Sequence, residues 1–229
     1  MGEKLLIDSL EGVVTKRPPF WFMRQAGRYL PEYRELRSRT GGFIDLCLNR
    51  AASTEVTLQP IKRFDPDAAI LFSDILIVPY GLGMSVRFEE GIGPILDAVY
   101  DSRGVDKLSL NKSWSRIEST YETVASVKSQ LEPNKALIGF SGSPWTVATY
   151  MVEGKSSKDY ATVKGWAYRD REGFGRLIDL LTVATIKHLS AQVDAGADVI
   201  KIFDTWAGVL SPEEFRRWVI EPSVKICAE

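Results

Sequence analysis

The sequence predicts an α/β protein in which strands and helices alternate around a parallel sheet. Three observations carry this. Four short apolar runs recur along the 229 residues, and each is followed by sequence with helical spacing. Within each run apolar residues fall on both faces, the pattern of a buried strand. A small or polar residue follows most runs, where strand ends carry binding groups in parallel α/β folds.

The first run, Pro19-Phe20-Trp21-Phe22-Met23, hands over to Arg24. The second spans Ala68 to Phe72 and leads to Ser73-Asp74, and the third spans Ala136 to Phe140 and leads to Ser141-Gly142. The fourth spans Val199 to Phe203 and leads to Asp204-Thr205. Helices are expected between them. Arg50 to Lys62 has Asn49 as N-cap, with Pro60 kinking or shortening its end. Trp114 to Leu131 is periodic and stops at Glu132-Pro133. Arg171 to Val193 carries Leu177, Leu181, Ala184 and Leu189 near helical spacing, and Asp194-Ala195-Gly196 is its stop signal. Glu213 to Glu229 reads as helix interrupted at Pro222. Met84 to Phe88 and Gly91 to Pro94 read as a hairpin excursion after the second strand.

These four units use nearly the whole chain, whereas a closed eight-unit barrel takes about 250 residues. The residues alone therefore leave two architectures: an open α/β sheet, or the front part of a longer barrel, in either case a single domain over residues 1–229.

Composition excludes several function classes. The chain is 45% hydrophobic and 26% charged with a net charge of −1, so no global field favours nucleic acid or a membrane. Cys47 and Cys227 lie far apart, which argues against a disulfide framework and for a reducing cytosol. Met1 to Leu6 has no signal-like apolar run, Leu6 breaks the myristoylation pattern, and no stretch is long enough to span a bilayer. The expectation is a soluble cytoplasmic protein.

The candidate site residues cluster at run ends. Arg24-Gln25-Ala26-Gly27-Arg28-Tyr29 presents two guanidinium forks suited to carboxylates. Gly27 between them allows a positive φ or close approach to a ligand. Asp74 sits where a carboxylate at a strand end can accept hydrogen bonds from ligand N–H groups; as a helix cap or loop acid it would do no chemistry. Tyr150 offers a phenol after the third run, and Thr205 a hydroxyl after the fourth. Tyr150 equally fits simple packing, and surface arginines often only solvate a loop. Lys201 inside the fourth run would suit a Schiff base only if desolvated. The lone His188 lies on a long helix and reads as structural or surface. Gly154-Lys155-Ser156 lacks the earlier glycine of a phosphate loop, since Thr149 stands there, and Gly91-Ile92-Gly93 is no dinucleotide fingerprint. One histidine and two distant cysteines form no recognisable metal site. Acid, base and electrostatic chemistry without a cofactor is what remains.

Five segments together resemble the uroporphyrinogen decarboxylase family: Pro19 to Arg34 (PFWFMRQAGRYLPEYR), Thr57 to Phe64 (TLQPIKRF), Ala68 to Pro79 (AAILFSDILIVP), Ile138 to Gly154 (IGFSGSPWTVATYMVEG) and Ile200 to Gly208 (IKIFDTWAG). They keep the family's order and reach across nearly the whole chain. The resemblance implies a (β/α)8 barrel of the TIM type, of which this chain supplies about the first four to five units, and a homodimer. It implies cofactor-free and metal-free removal of CO2 from the four acetates of uroporphyrinogen III. It assigns the substrate loop to Arg24, Gln25, Ala26, Gly27 and Arg28, the central carboxylate to Asp74, the orienting phenol to Tyr150 and the hydroxyl to Thr205. A further family histidine lies in a C-terminal segment with no counterpart here, so the chain reads as the N-terminal two-thirds of such an enzyme. A barrel stopped at Glu229 would leave two strand edges unpaired, an aggregation hazard. The rival readings are a cobalamin-dependent methyltransferase of the same superfamily, a Schiff-base aldolase on Lys201, and a non-catalytic porphyrinogen-binding remnant.

Overall fold

The computed structural model describes residues 4–89 and 91–229. The reading of Met1 to Glu3 lies outside them. In chain order come α1 (Leu5–Leu10), α2 (Pro31–Arg39), α3 (Phe43–Leu48), α4 (Arg50–Phe64) and β1 (Ala68–Ile70). Next are α5 (Ile77–Gly81), β2 (Val86–Glu89), β3 (Gly93–Leu96), α6 (Ser102–Val105) and, after a 3-10 turn at Trp114–Ile117, α7 (Glu118–Gln130). Then follow β4 (Ala136–Gly142), α8 (Pro144–Glu153), α9 (Ala161–Arg169), α10 (Arg171–Asp194) and β5 (Val199–Phe203). A 3-10 turn at Ala207–Val209, α11 (Pro212–Phe215), a π turn at Arg216–Ile220 and α12 (Glu221–Cys227) complete it. No helix among the described residues is long and apolar enough to cross a membrane.

The main sheet has the order β1-β4-β5, and β2 pairs with β3 in a separate antiparallel hairpin, as expected. β1 and β4 are parallel, with Ala68 opposite Ala136 and Ile70 opposite Ile138. Residue contacts divide the chain into two compact units. The first comprises residues 1–74, 118–140 and 189–201, and the second residues 75–117, 141–188 and 202–229.

The first apolar run is not a strand: Pro19 to Met23 is irregular. The backbone there still follows β1, with Asp67 N–H donating to Phe20 C=O at 3.0 Å and Phe20 N–H to the Asp67 carboxylate at 2.8 Å. Pro18 and Pro19 have no N–H to give a ladder. Gln25 supplies the missing pairing with its side chain: Nε2 donates to Ala68 C=O at 2.7 Å, and Oε1 accepts from Ile70 N–H at 3.0 Å. A buried amide thus stands in for two backbone groups.

Pro60 does not stop α4, which runs on to Phe64. Asp65 ends it instead, in the left-handed region at φ 52°, with its N–H on Ile61 C=O. Asn49 caps its start through Ala52 N–H, as expected. The helix expected from Trp114 begins as a 3-10 turn, and the helix expected from Glu213 is divided by the π turn, with Pro222 tolerated in the first turn of α12. Gly196, at φ +110°, terminates α10 as its sequence predicts.

At the N-terminal ends of the strands in the first unit, charges tie the chain together. Arg17 grips Asp67 with two bonds of 2.7 Å. Buried Lys135 pairs with Asp65 and donates to Pro66 C=O at 3.0 Å. Asp198 accepts from Lys4 at 2.7 Å, from Lys128 at 2.6 Å and from Leu137 N–H at 2.8 Å. β4 is braced further along by Gln192. Its Oε1 accepts from Phe140 N–H at 2.9 Å, and its Nε2 donates to Phe140 C=O at 3.0 Å. Gly139 is what lets Gln192 approach, because a Cβ there would sit 2.7 Å from that Oε1.

Gln192→Met keeps the shape of the side chain but gives up both hydrogen bonds to the Phe140 backbone, at about 1–3 kcal/mol each. Urea unfolding is expected to show a loss of about 3 kcal/mol; a loss below about 1 kcal/mol would refute the bracing role. Hydrogen bonds from Arg17 hold the Asp67 carboxyl below its ordinary range. Burial pushes the Asp198 carboxyl up, but bonds from Lys128, Lys4 and Leu137 N–H outweigh it and hold it low as well. Depressed carboxyls stabilise fully above the unfolded value near 3.9, and that stability is lost as pH falls through the lower folded values. The urea midpoint is therefore expected to drop below about pH 4, and the Asp67→Asn, Asp198→Asn double variant to drop less steeply. Parallel acid limbs would contradict this.

Candidate functional site

The Arg24 to Tyr29 loop is held from beneath and leaves its cations outside. Arg24 and Arg28 are exposed, Gln25 is buried on β1, and Ala26 packs against a cluster of Leu30, Tyr33, Leu46, Ala52 and Val56. The two arginines leave an irregular segment, not the strand end expected. Gln25, expected in the substrate loop, has both ends of its amide committed to β1. Gly27 does not adopt a positive φ, and a Cβ there would meet only the Tyr29 ring at 3.7 Å. The turn closes through Leu30 N–H on Gly27 C=O at 3.0 Å, and Arg34 donates to Arg28 C=O at 2.7 Å. Tyr29 OH donates to Gln25 C=O, and its ring stacks on Phe64 at 6.3 Å.

Asp74 follows β1 in the same unit and is half-buried. The ladder to β4 ends with Leu71 N–H on Ile138 C=O at 3.0 Å. Beyond it α4 takes over: Phe72 N–H donates to Thr57 Oγ1 at 3.0 Å, and Phe72 C=O accepts from Ser53 Oγ at 2.7 Å. The Phe72 ring makes edge contacts with Tyr33 at 5.7 Å and Phe43 at 5.8 Å, and it packs on the cluster that carries Ala26. The arginine loop and the Asp74 exit therefore rest on one apolar base.

The electrostatics of this unit join the same residues. Burial pushes the Cys47 thiol well up; the Asp74 charge adds to the rise and Arg37 opposes it. Burial likewise raises the Tyr33 phenol, with Arg37 and then Arg28 pulling against it. Cys47 thus feels Asp74 and Arg37, and Tyr33 feels Arg37, Cys47 and Arg28. Sequence reasoning missed Arg37, although it sits one turn after Tyr33 on α2. It missed Ser53 and Thr57 too, whose signal was a pair of hydroxyls four residues apart on an otherwise apolar helix face.

Tyr150 and Thr205 belong to the second unit. Tyr150, half-buried on α8, lies 6.4 Å from the Trp206 ring, which also packs 5.5 Å from Tyr160. Burial raises the Tyr160 phenol, with Tyr150 and Glu153 adding to it. Thr205 is exposed, and both its neighbours are held by one hydroxyl: Thr146 Oγ1 donates to Asp204 at 2.6 Å and accepts from Trp206 N–H at 3.1 Å. Trp145 Nε1 donates to Trp206 C=O at 3.0 Å. Thr146 and Trp206 gave no separate signal in the sequence. His188 is fully buried, and burial lowers its pKa to about 4, so it is neutral near pH 7. Lys201 is exposed, which removes the desolvation that a Schiff-base nucleophile requires. Among the described residues no three His, Cys, Asp or Glu side chains gather as a metal site.

Comparison with known proteins adds a lineage to this geometry. The family model described as uroporphyrinogen decarboxylase (URO-D) matches residues 1–229. A uroporphyrinogen decarboxylase of Rhodospirillum rubrum is 51% identical over 98% of this chain and 64% of its own length. That of Novosphingobium aromaticivorans is 51% identical over 97% of the chain and 65% of its own length. That of Agrobacterium fabrum is 46% identical over 100% of the chain and 66% of its own length. The chain thus spans just under two thirds of these relatives. Among solved structures, a methyltransferase from Methanosarcina mazei superposes with a TM-score of 0.79 at 18% identity, over 100% of this chain and 67% of the other, a likeness of fold alone. With a family model matched along its whole length and relatives at half identity, the chain belongs to the uroporphyrinogen decarboxylase family.

Proposed function

We propose that this chain carries the substrate loop and central carboxylate of an enzyme that decarboxylates the four acetates of uroporphyrinogen III, giving coproporphyrinogen III without a cofactor. The observation that carries the proposal is the shared apolar base of the first unit, which fixes Arg24 and Arg28 on one loop and Asp74 on one strand exit. The family pattern assigns Tyr150, in the second unit, as a phenol that orients a substrate carboxylate or a neighbouring one, and Thr205 as a substrate-binding hydroxyl. The names of the relatives at 46–51% identity favour decarboxylation over the methyltransferase alternative. In this reading the whole protein is a (β/α)8 barrel forming a single domain, cytoplasmic and homodimeric, with no nucleic-acid or membrane partner.

The chemistry needs little machinery. Loss of CO2 directly from an acetate would leave a poorly stabilised carbanion. A proton added first to the adjacent pyrrole carbon makes that ring an electron sink. The C–C bond electrons then flow into the ring as CO2 departs, a second proton adds to the exocyclic carbon to complete the methyl group, and loss of the first proton from the ring carbon restores the aromatic pyrrole. Asp74 accepts the pyrrole N–H groups of the domed macrocycle and stabilises the cation that protonation creates, which is the largest kind of catalytic contribution. Arg24 and Arg28 bind acetate or propionate groups as forked donors. Arginine's very high pKa makes it a weak proton donor, so its main work here is binding.

The test joins this chain to the C-terminal third of the Rhodospirillum rubrum relative and follows coproporphyrinogen formation. Asp74→Gly is expected to lower turnover by about 100-fold or more while far-ultraviolet circular dichroism stays unchanged. Retention of turnover within about twofold would remove Asp74 from the mechanism.

A further inference from the structure

We propose that Ser53 and Thr57 of α4 are positioning residues for Asp74, acting through the backbone of Phe72. This rests on the functional reading above and adds to it the residues that aim the carboxylate. Both side chains are essentially inaccessible, at 0% and 1% exposure, in the middle of α4. A buried helical threonine ordinarily satisfies its hydroxyl on its own helix. Thr57 does so, donating to Ser53 C=O at 2.7 Å, and this turns its lone pairs outward toward the strand. That oxygen accepts Phe72 N–H, while Ser53 spends its hydroxyl on Phe72 C=O. One helix face therefore holds both polar groups of a single residue.

Phe72 occupies the first position past the ladder. Leu71 still pairs with Ile138, whereas the polar backbone groups of the next residue turn to α4. Without α4, the chain would be free to choose its direction two residues before Asp74. With it, the Phe72 backbone is fixed on the helix, and its ring is fixed between Tyr33 and Phe43. Ser73 adds no tether of its own, since its hydroxyl is buried without a hydrogen-bond partner. The same cluster seats Ala26, so α4 references the carboxylate to the base that bears the arginine loop. A displacement of about 1 Å at a catalytic group costs on the order of 100-fold in rate, so a hydroxyl pair remote from substrate can control turnover.

The experiment uses the same family-length protein. Thr57→Val is expected to lower kcat by about tenfold or more, and Thr57→Ser, which keeps the hydroxyl, to stay within about twofold of the unsubstituted protein. Binding of coproporphyrinogen, followed by tryptophan fluorescence, then closes a double-mutant cycle. Thr57→Val is expected to weaken binding about tenfold with Asp74 present and less than about twofold in an Asp74→Asn background. Equal losses in both backgrounds, or a lowered urea midpoint with unchanged kcat, would overturn the proposal and leave the pair a purely structural role. If Thr57→Val fails to fold by circular dichroism, Ser53→Ala takes its place in the cycle with the same expectations. An unsubstituted protein that neither binds nor decarboxylates porphyrinogen would instead refute the functional reading, and this proposal with it.

Discussion

The organising constraint in this chain is that backbone groups near strand ends are paired by side chains of other elements. A buried N–H or C=O must find a partner, and a short strand quickly runs out of neighbouring backbone. β1 spans only Ala68–Ile70, so Gln25 completes one of its edges and Ser53 with Thr57 complete its exit. Gln192 serves β4 in the same way. In the second unit Thr146 holds the segment after β5, bonding to Asp204 and to Trp206 N–H. The amides of Gln25 and Gln192 and the hydroxyl of Thr146 donate and accept at once, and where the strands begin Asp67, Asp198 and Lys135 pair Phe20 N–H, Leu137 N–H and Pro66 C=O in the same way.

The ion pairs of the first unit gather where the strands begin, and Asp67, Asp65 and Asp198 are all matched there by Arg17, Lys135, Lys4 or Lys128. Matched charges of that kind contribute to stability and present little to a ligand. Past the other end of β1 comes Asp74, and the Phe72 exit that leads to it packs on the same apolar cluster as Ala26 of the arginine loop.

Much of the fold was legible because it depends on local pattern. The apolar runs at Ala68, Ala136 and Val199 became β1, β4 and β5, Asn49 capped α4, and the hairpin appeared where its glycines placed it. Pro19 to Met23 failed because strand formation is decided by partners as well as by side-chain character. Two prolines without donors cannot make a ladder, whatever their neighbours. Pro60 misled in the opposite direction: a helix locked by Asn49 at its start and Asp65 at its end tolerates one missing bond. The positions of Arg24, Arg28 and Asp74 at run ends were visible, but the roles of Gln25, Ser53 and Thr57 were not. Those roles depend on pairings across 43, 19 and 15 positions of sequence, and composition carries no trace of them.

The first unit also bears on the proposed role of Asp74. Asp74 is half-buried, so its field is only partly screened, and it is felt at the Cys47 thiol. Arg37 is felt at the same thiol and opposes it. An ionised carboxylate accepts hydrogen bonds and donates none, so a ring of N–H donors is the ligand it satisfies best. In the proposed reading, guanidinium forks suit carboxylates on the ligand's periphery, and a flexible polyanion with N–H groups at its centre is the ligand that meets both demands.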